Sequence, residues 1–323
     1  MPVSREGHTY TRYLFKPLAD TVTGGCHADV FLPTLEKGEK APIAITYHGG
    51  GFVICDSQHI LTRHVGYLLS QGFAVVGLEY RMAPHVRFPE IREDIVDGYK
   101  WVLDVLPTRA PLDPSRVCVM GASAGGYATL SLSIDAHRLG LPLPKANYVV
   151  YPLADLTTTL KRPSERVTHA QALASLSDED RVKVDALFAE PITTRHDRMK
   201  EDPADLSGRM VWGHMAMLSG TLLECLTASP WPYPTEHSPM QHLHDKFPPT
   251  VLVLAEADTL LDPMTTSVLH DRLEELGVES LLLVGKDMPH GAMEPEMGAP
   301  EQGKEWWDDV AVPALEFCVR HCQ

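Results

Sequence analysis

The heptapeptide Met120-Gly121-Ala122-Ser123-Ala124-Gly125-Gly126 follows the apolar run Arg116-Val117-Cys118-Val119 and precedes a stretch of helical character, residues 127–137. A strand that feeds a G-x-S-x-G turn and then a helix is the setting of a nucleophile elbow, where a strained backbone pushes the serine Oγ into the open. Gly121 and Gly125 leave the room that side chains would otherwise fill. The backbone N–H of Ala124, at the helix start, faces any negative charge that develops beside Ser123. A second stretch, His48-Gly49-Gly50-Gly51-Phe52, comes straight after the apolar run 42–47. Glycines there let the backbone approach a ligand and turn N–H groups towards it, as an oxyanion hole requires.

A serine hydroxyl is a poor nucleophile at neutral pH, so it needs a base, and the base needs orienting. Asp258, just past the run 250–254, and His290, just past the run 280–284, complete such a set in the chain order Ser, Asp, His. In it His290 takes the Ser123 proton and Asp258 holds the imidazole tautomer. Asp262, beside Pro263, reads instead as a helix cap, and Glu256 falls at the strand end. His48 reads as holding the glycine loop by a hydrogen bond.

The elements that must position these residues alternate. Short strands at 9–15 and 28–32 lead to strands at 42–47, 73–80, 116–119, 147–153, 250–254 and 280–284. Helices are expected at 57–71, 88–106, 265–276 and 305–322. That alternation implies βαβ units and a mostly parallel sheet, with sites at the carboxyl ends of the strands. Between 155 and 247 the pattern breaks into helical periodicity, clearest at 182–188 and 210–226, before the loop Pro230-Trp231-Pro232-Tyr233-Pro234. So long a strandless stretch between core strands reads as an inserted helical cap. The core is then 1–155 with 248–323, and the cap 156–247.

Among 323 residues, 44% are hydrophobic and 22% charged, as in a soluble globular enzyme. The net charge of −15 opposes nucleic acid and anionic membrane surfaces as partners. With no run of transmembrane length, no stable membrane insertion is expected. The polar N-terminus has no apolar signal region, and the six cysteines form no C-x-x-C, so a reducing, cytoplasmic setting is expected. His242-x-His244 has no third ligand at a metal spacing, so no metal is assigned.

Together with Tyr80-Arg81-Met82-Ala83-Pro84 and Asp258-Thr259-Leu260-Leu261-Asp262, these motifs resemble the hormone-sensitive-lipase family of α/β-hydrolases over 42–155 and 248–292. The resemblance implies an eight-stranded mostly parallel sheet under a helical cap, Ser123, Asp258 and His290 as the triad, and the N–H groups of Gly50, Gly51 and Ala124 as the oxyanion hole. It implies hydrolysis of small-to-medium acyl esters without a cofactor. The family usually carries Asp where this chain has Ala122, and Asn where it has Tyr127. Phe52, Tyr127, Trp212 and Met215 are the pocket candidates, with Met217 and the loop 231–233 nearby, though these cap residues serve equally well to pack the cap onto the core. Two other readings stand beside the esterase: acyl transfer, thioester release or C–C cleavage or cyclisation in biosynthesis, and a non-catalytic ligand receptor. The expected partner is a small ester or acyl compound, and a homodimer is compatible with the chain.

Overall fold

The structure, a computed structural model, describes residues 3–5, 7–157, 169–197, 200–202, 204–294 and 303–323. Of the expected cap, residues 158–168, 198–199 and 203 lie outside the described residues.

Runs of β-branched and apolar residues become the strands: β1 Val3–Arg5, β2 His8–Pro17, β3 Gly25–Phe31, β4 Ala41–Tyr47 and β5 Ala74–Leu78. They continue as β6 Leu112–Ala122, β7 Ala146–Val150, β8 Thr250–Ala255 and β9 Ser280–Gly285. All join one sheet in the order β1-β2-β3-β5-β4-β6-β7-β8-β9. From β5 across to β9 the pairing is parallel, while β1, β2 and β3 form an antiparallel ribbon at one edge. The eight expected strands are β2 to β9, and the three-residue β1 extends the ribbon. Every residue of β4, β5, β7 and β8 is buried, as a parallel sheet covered on both faces demands.

The helices are α1 Thr62–Ser70, α2 Phe88–Asp104, α3 Ala124–Arg138, α4 His169–Ala174 and α5 Asp178–Leu187. After them come α6 Gly208–Ser219, α7 Thr221–Thr227, α8 Met264–Glu275 and α9 Val312–Cys322. On one face of the sheet, Val65 and Leu68 of α1 and Leu315 and Phe317 of α9 pack with Cys118, Met120 and Val251. On the other, Ile91 and Ile95 of α2 and Leu132 of α3 pack with Ile43, Ile45 and Val119. That second core runs on without a break into Leu187, Met210, Trp212, Met215 and Leu226 of the helices between β7 and β8. Among the described residues no helix is long and apolar enough to cross a membrane, and no cluster of potential metal ligands occurs.

Four elements differ from expectation, each for a local reason. The helix expected from 57 starts at Thr62, because the Ser57 hydroxyl donates to Asp29 (2.5 Å) and Asp56 accepts the Gln58 N–H (2.9 Å), which competes with helix formation. The helix expected over 210–226 is two, because Gly220 takes a left-handed conformation, φ 76°, and caps α6. The strand expected to reach 153 ends at Val150, where Tyr151 turns out with φ 31°. The last helix begins with a wide turn over Trp307–Ala311 and becomes regular only near Pro313, whose missing N–H suits a first turn.

Buried His48, His59 and His64 contribute to the pH response of this fold, beside His85, His196, His237, His242 and His244, which burial also pushes down. Burial pushes His48 and His64 down from 6.5 to about 4, with the Arg63 charge adding to the effect on His64. Between pH 6.5 and 4 the unfolded chain binds protons that the folded chain refuses, so stability falls as pH falls, by at most roughly 3 kcal/mol per histidine. His59 works on the other limb. Burial opposes its charge, but Cys55 and Glu294 outweigh burial and raise it to about 10, so its contribution is complete below pH 6.5 and fades towards 10. The melting temperature should therefore peak near neutrality, and His64→Leu should flatten the acid limb; an unchanged acid slope in a Tm-against-pH scan would contradict this assignment.

Candidate active site

The turn after β6 puts Ser123 at φ 56° and ψ −117°, a conformation that side chains seldom adopt. Hydrogen bonds on both sides hold it there: the Ser123 N–H donates to the Val150 carbonyl (3.0 Å), and the Tyr127 N–H donates to the Ser123 carbonyl (3.1 Å). Close backbone approach explains the flanking glycines. A Cβ at 121 would overlap the backbone of Gly125, and a Cβ at 125 would overlap the Tyr47 carbonyl. The elbow thus seats itself on the carboxyl end of β4.

From the ends of β8 and β9 the structure brings Asp258 and His290 to Ser123. His290 Nε2 lies 2.9 Å from Ser123 Oγ, and His290 Nδ1 lies 2.6 Å from Asp258 Oδ2. The other Asp258 oxygen accepts the N–H groups of Leu260 (2.8 Å) and Leu261 (2.9 Å), which fixes the carboxylate in the turn after β8. A carboxylate only accepts, so the imidazole proton belongs on Nδ1, and Nε2 presents a lone pair to the serine hydroxyl. Tyr151 stacks obliquely on the His290 ring at 4.7 Å, and its hydroxyl accepts the Met293 N–H (3.1 Å). This arrangement can remove the serine proton and hold the resulting imidazolium. Of the rivals, Asp262 is exposed and accepts the Met264 N–H at the start of α8 (3.0 Å), while Glu256 accepts the Asp287 N–H (3.1 Å).

The glycine loop is a left-handed turn, with φ 85°, 61° and 63° at Gly50, Gly51 and Phe52. The Gly50 carbonyl accepts the N–H groups of Val53 (3.0 Å) and Ile54 (3.1 Å), and Ala83 N–H donates to Phe52 O (2.9 Å). His48 stacks on Tyr80 at 4.2 Å, its Nδ1 is 3.0 Å from the Gly49 carbonyl, and the Tyr80 hydroxyl donates to the His48 carbonyl (2.8 Å). Gly51 and Ala124 meet Ser123 at the wall of one apolar cavity of about 480 Å³, counting its open mouth, and Gly50 precedes Gly51 in the loop. Ala124 begins α3, so its N–H is one of the first-turn donors that a helix leaves without an internal partner.

The cavity corrects the pocket candidates. Phe52 lines it, but Tyr127, Trp212 and Met215 do not. Tyr127 is buried one layer back, edge-on to Phe52 (5.3 Å) and stacked on Phe88 (4.6 Å), so it reaches the cavity only through Phe52. Trp212 meets Phe188 edge-on (6.1 Å), and Trp212 and Met215 lie on the face of α6 that joins the common core. The neighbours that turn inwards are Ala216, Met217 and Gly220, with Leu222, Leu223 and Leu226 of α7 and Leu260 and Leu261 beside Asp258. Buried Arg209, which burial lowers to about 10, ties α6 to the glycine loop by donating to Val53 O (3.1 Å) and Ala83 O (2.6 Å). Sequence reading put Met217 near the pocket and marked the helical period over 210–226, but it had no signal for Leu222 and Leu223 as the side that faces Ser123.

Comparison with known proteins bears on the fold. Methylphloroacetophenone synthase of Cladonia uncialis is 32% identical over 40% of this chain, a stretch that makes up 5% of the synthase. The non-reducing polyketide synthase mapC of Penicillium brevicompactum is 28% identical over 92% of this chain and 13% of its own length, so this chain spans a small part of either relative. A hyperthermophilic esterase from the archaeon Pyrobaculum calidifontis superposes with a TM-score of 0.62 at 22% identity, over 96% of this chain and 84% of that one, a likeness of fold. A family model for the alpha/beta hydrolase fold matches residues 44–294, from β4 through the turn after His290, and the chain belongs to that family.

Proposed function

We propose that the protein is a serine hydrolase that cleaves carboxylic esters of a small-to-medium apolar substrate through an acyl-enzyme. The observation that carries this reading is the continuous hydrogen-bonded line from Asp258 through His290 to Ser123, which ends on an apolar cavity. Ser123 Oγ bonds to the acyl carbon while His290 Nε2 takes its proton, and the carbonyl electron pair moves onto oxygen beside Gly50, Gly51 and Ala124. Collapse expels the alcohol, which receives the proton from His290, and water then repeats the sequence on the acyl-enzyme. The segment 156–247 serves as the cap, since α6, α7 and the Gly220 turn between them supply six of the 13 wall residues of the cavity.

A second reading concerns the leaving group. Both relatives described above are synthases by name, one of them a non-reducing polyketide synthase, which favours an acyl thioester from biosynthesis as the substrate of the same triad. Initial rates on p-nitrophenyl esters from acetyl to dodecanoyl, beside matching N-acetylcysteamine thioesters, separate the two. Ester turnover is expected, with Ser123→Ala lowering kcat about a thousandfold or more. Leu223→Trp should shift the optimum to shorter acyl chains. Turnover of thioesters alone would transfer the assignment to the second reading, and turnover of neither, in a folded protein, would sink both.

The strained elbow yields a further expectation. Ser123→Gly removes the Cβ from a backbone conformation that glycine adopts freely, so it should be inactive yet more stable than Ser123→Ala by about 1–3 kcal/mol. Chemical denaturation of the two variants measures this, and equal stabilities would mean that the elbow stores no strain.

A further inference from the structure

Behind the glycine loop lies a second hollow, which shares no wall residue with the substrate cavity and is lined in part by Gly49, His59, His64, Ala122, Tyr148 and Glu294. All of these except Gly49 and Ala122 are polar side chains, and all four are buried. Glu294 Oε2 lies 3.3 Å from His59 Nε2. A Cβ on Gly49 would overlap the Glu294 carboxylate, so the loop backbone rests directly against it. A Cβ on Gly50 would overlap the Ile54 carbonyl and Cys55 Sγ, so the next residue is backed as closely.

Glu294 also belongs to the turn that carries His290. Its N–H donates to the Gly291 carbonyl (3.0 Å), and that of Met293 donates to the Tyr151 hydroxyl (3.1 Å). One short turn therefore presents the imidazole to Ser123 on one side and a carboxylate to the glycine loop on the other. The loop has need of such a stop. Phe52 is held by Tyr80, Phe88 and Tyr127, but Gly50 and Gly51, both at positive φ, have no side chain to fix the direction of their N–H groups.

We infer that Glu294 and His59 are positioning residues for the oxyanion hole: their buried ion pair props Gly49 from behind and so holds the N–H groups of Gly50 and Gly51 towards Ser123. A carboxylate in this hollow is tolerated because His59 pairs with it, and the pair is stiff because both side chains are largely buried, 3% and 10% exposed. Displacement of the loop by a fraction of an ångström leaves ground-state binding in place and weakens the transition state, where the oxyanion forms. The inference rests on the serine-hydrolase reading.

The test combines ester kinetics with the affinity of an alkyl trifluoromethyl ketone. Ser123 Oγ adds to the ketone carbon, the carbonyl pair becomes an oxyanion, and the serine proton passes to His290 Nε2. Glu294→Ala should lower kcat about tenfold to a hundredfold with KM nearly constant, and weaken the ketone by the same factor. Glu294→Gln keeps an acceptor oxygen for His59 at the same length and should recover most of both. Gly49→Ala, which drives the carboxylate aside, should cause a similar loss and add little on top of Glu294→Ala. If Glu294→Ala does not fold, His59→Gln and Gly49→Ala carry the same comparison. Unchanged kcat and ketone affinity, or a loss confined to KM, would overturn the positioning role. The underlying reading fails in a different way: the wild type would then bind the ketone no better than Ser123→Ala.

Discussion

Everything at the site depends on how closely the elbow backbone sits on the end of β4. Gly125 approaches the Tyr47 carbonyl with no room for a side chain, and Gly121 approaches Gly125 in the same way. That contact sets the height of Ser123 above the sheet, and a strained φ of 56° is the result. A local penalty of about 1–3 kcal/mol survives only where the surroundings over-determine the conformation. Here they do, because β4 and β7 are buried along their whole length and the serine peptide is bonded to both Val150 and Tyr127. The sheet is the anvil, and the turn has nowhere else to go.

The remaining active groups reach Ser123 from loops, where apolar burial of residues such as Phe52, Leu261 and Met293 holds the chain but does not aim polar atoms. Buried polar bonds do that work. Asp258 accepts two backbone N–H groups as well as the imidazole, so its position is set before His290 arrives. The segment after β5 is anchored through Arg81, which clamps both oxygens of the buried Asp94 (2.8 Å each) while Lys16 pairs with the same carboxylate (2.7 Å). Arg209 plays the matching part for α6 by filling two loop carbonyls. A buried charge without its partner is far more costly than an absent pair, so each of these contacts tolerates few alternatives. That intolerance is what makes them useful for aiming side chains.

Legibility from sequence followed the range of the interaction. Gly121, Ser123 and Gly125 are one turn, and their requirements are written in consecutive residues; the alternation of strands and helices made the parallel sheet readable in the same way. Asp258 and His290 were legible because a parallel sheet gathers the carboxyl ends of its strands on one side. Trp212 and Met215 show where this ended. A helical period says that one face of α6 is buried, but not whether that face meets the core or the cavity, and the turn at Gly220 re-aims α7 after it. Glu294 left no local trace at all, because its significance lies in contact with Gly49, far away in the chain.

The chemistry and the pocket are therefore built from different kinds of information, yet they touch at one place. A Cβ added to Gly51 would lie 3.4 Å from Met217 Sδ and 3.5 Å from a Leu222 methyl, so the wall from α6 and α7 stands directly over the glycine loop. A ligand that presses on Met217 or Leu222 presses on the backbone that would receive the oxyanion. Flexible methionine can yield to irregular apolar shapes, whereas the loop is backed by Ile54 and Cys55 behind Gly50 and by Glu294 behind Gly49 and yields less. Deformation on binding must then fall on the helices more than on the donors. A site arranged in this way can change which acyl group it accepts through Met217, Leu222 and Leu223 while its hydrogen-bonded line from Asp258 to Ser123 stays as it is.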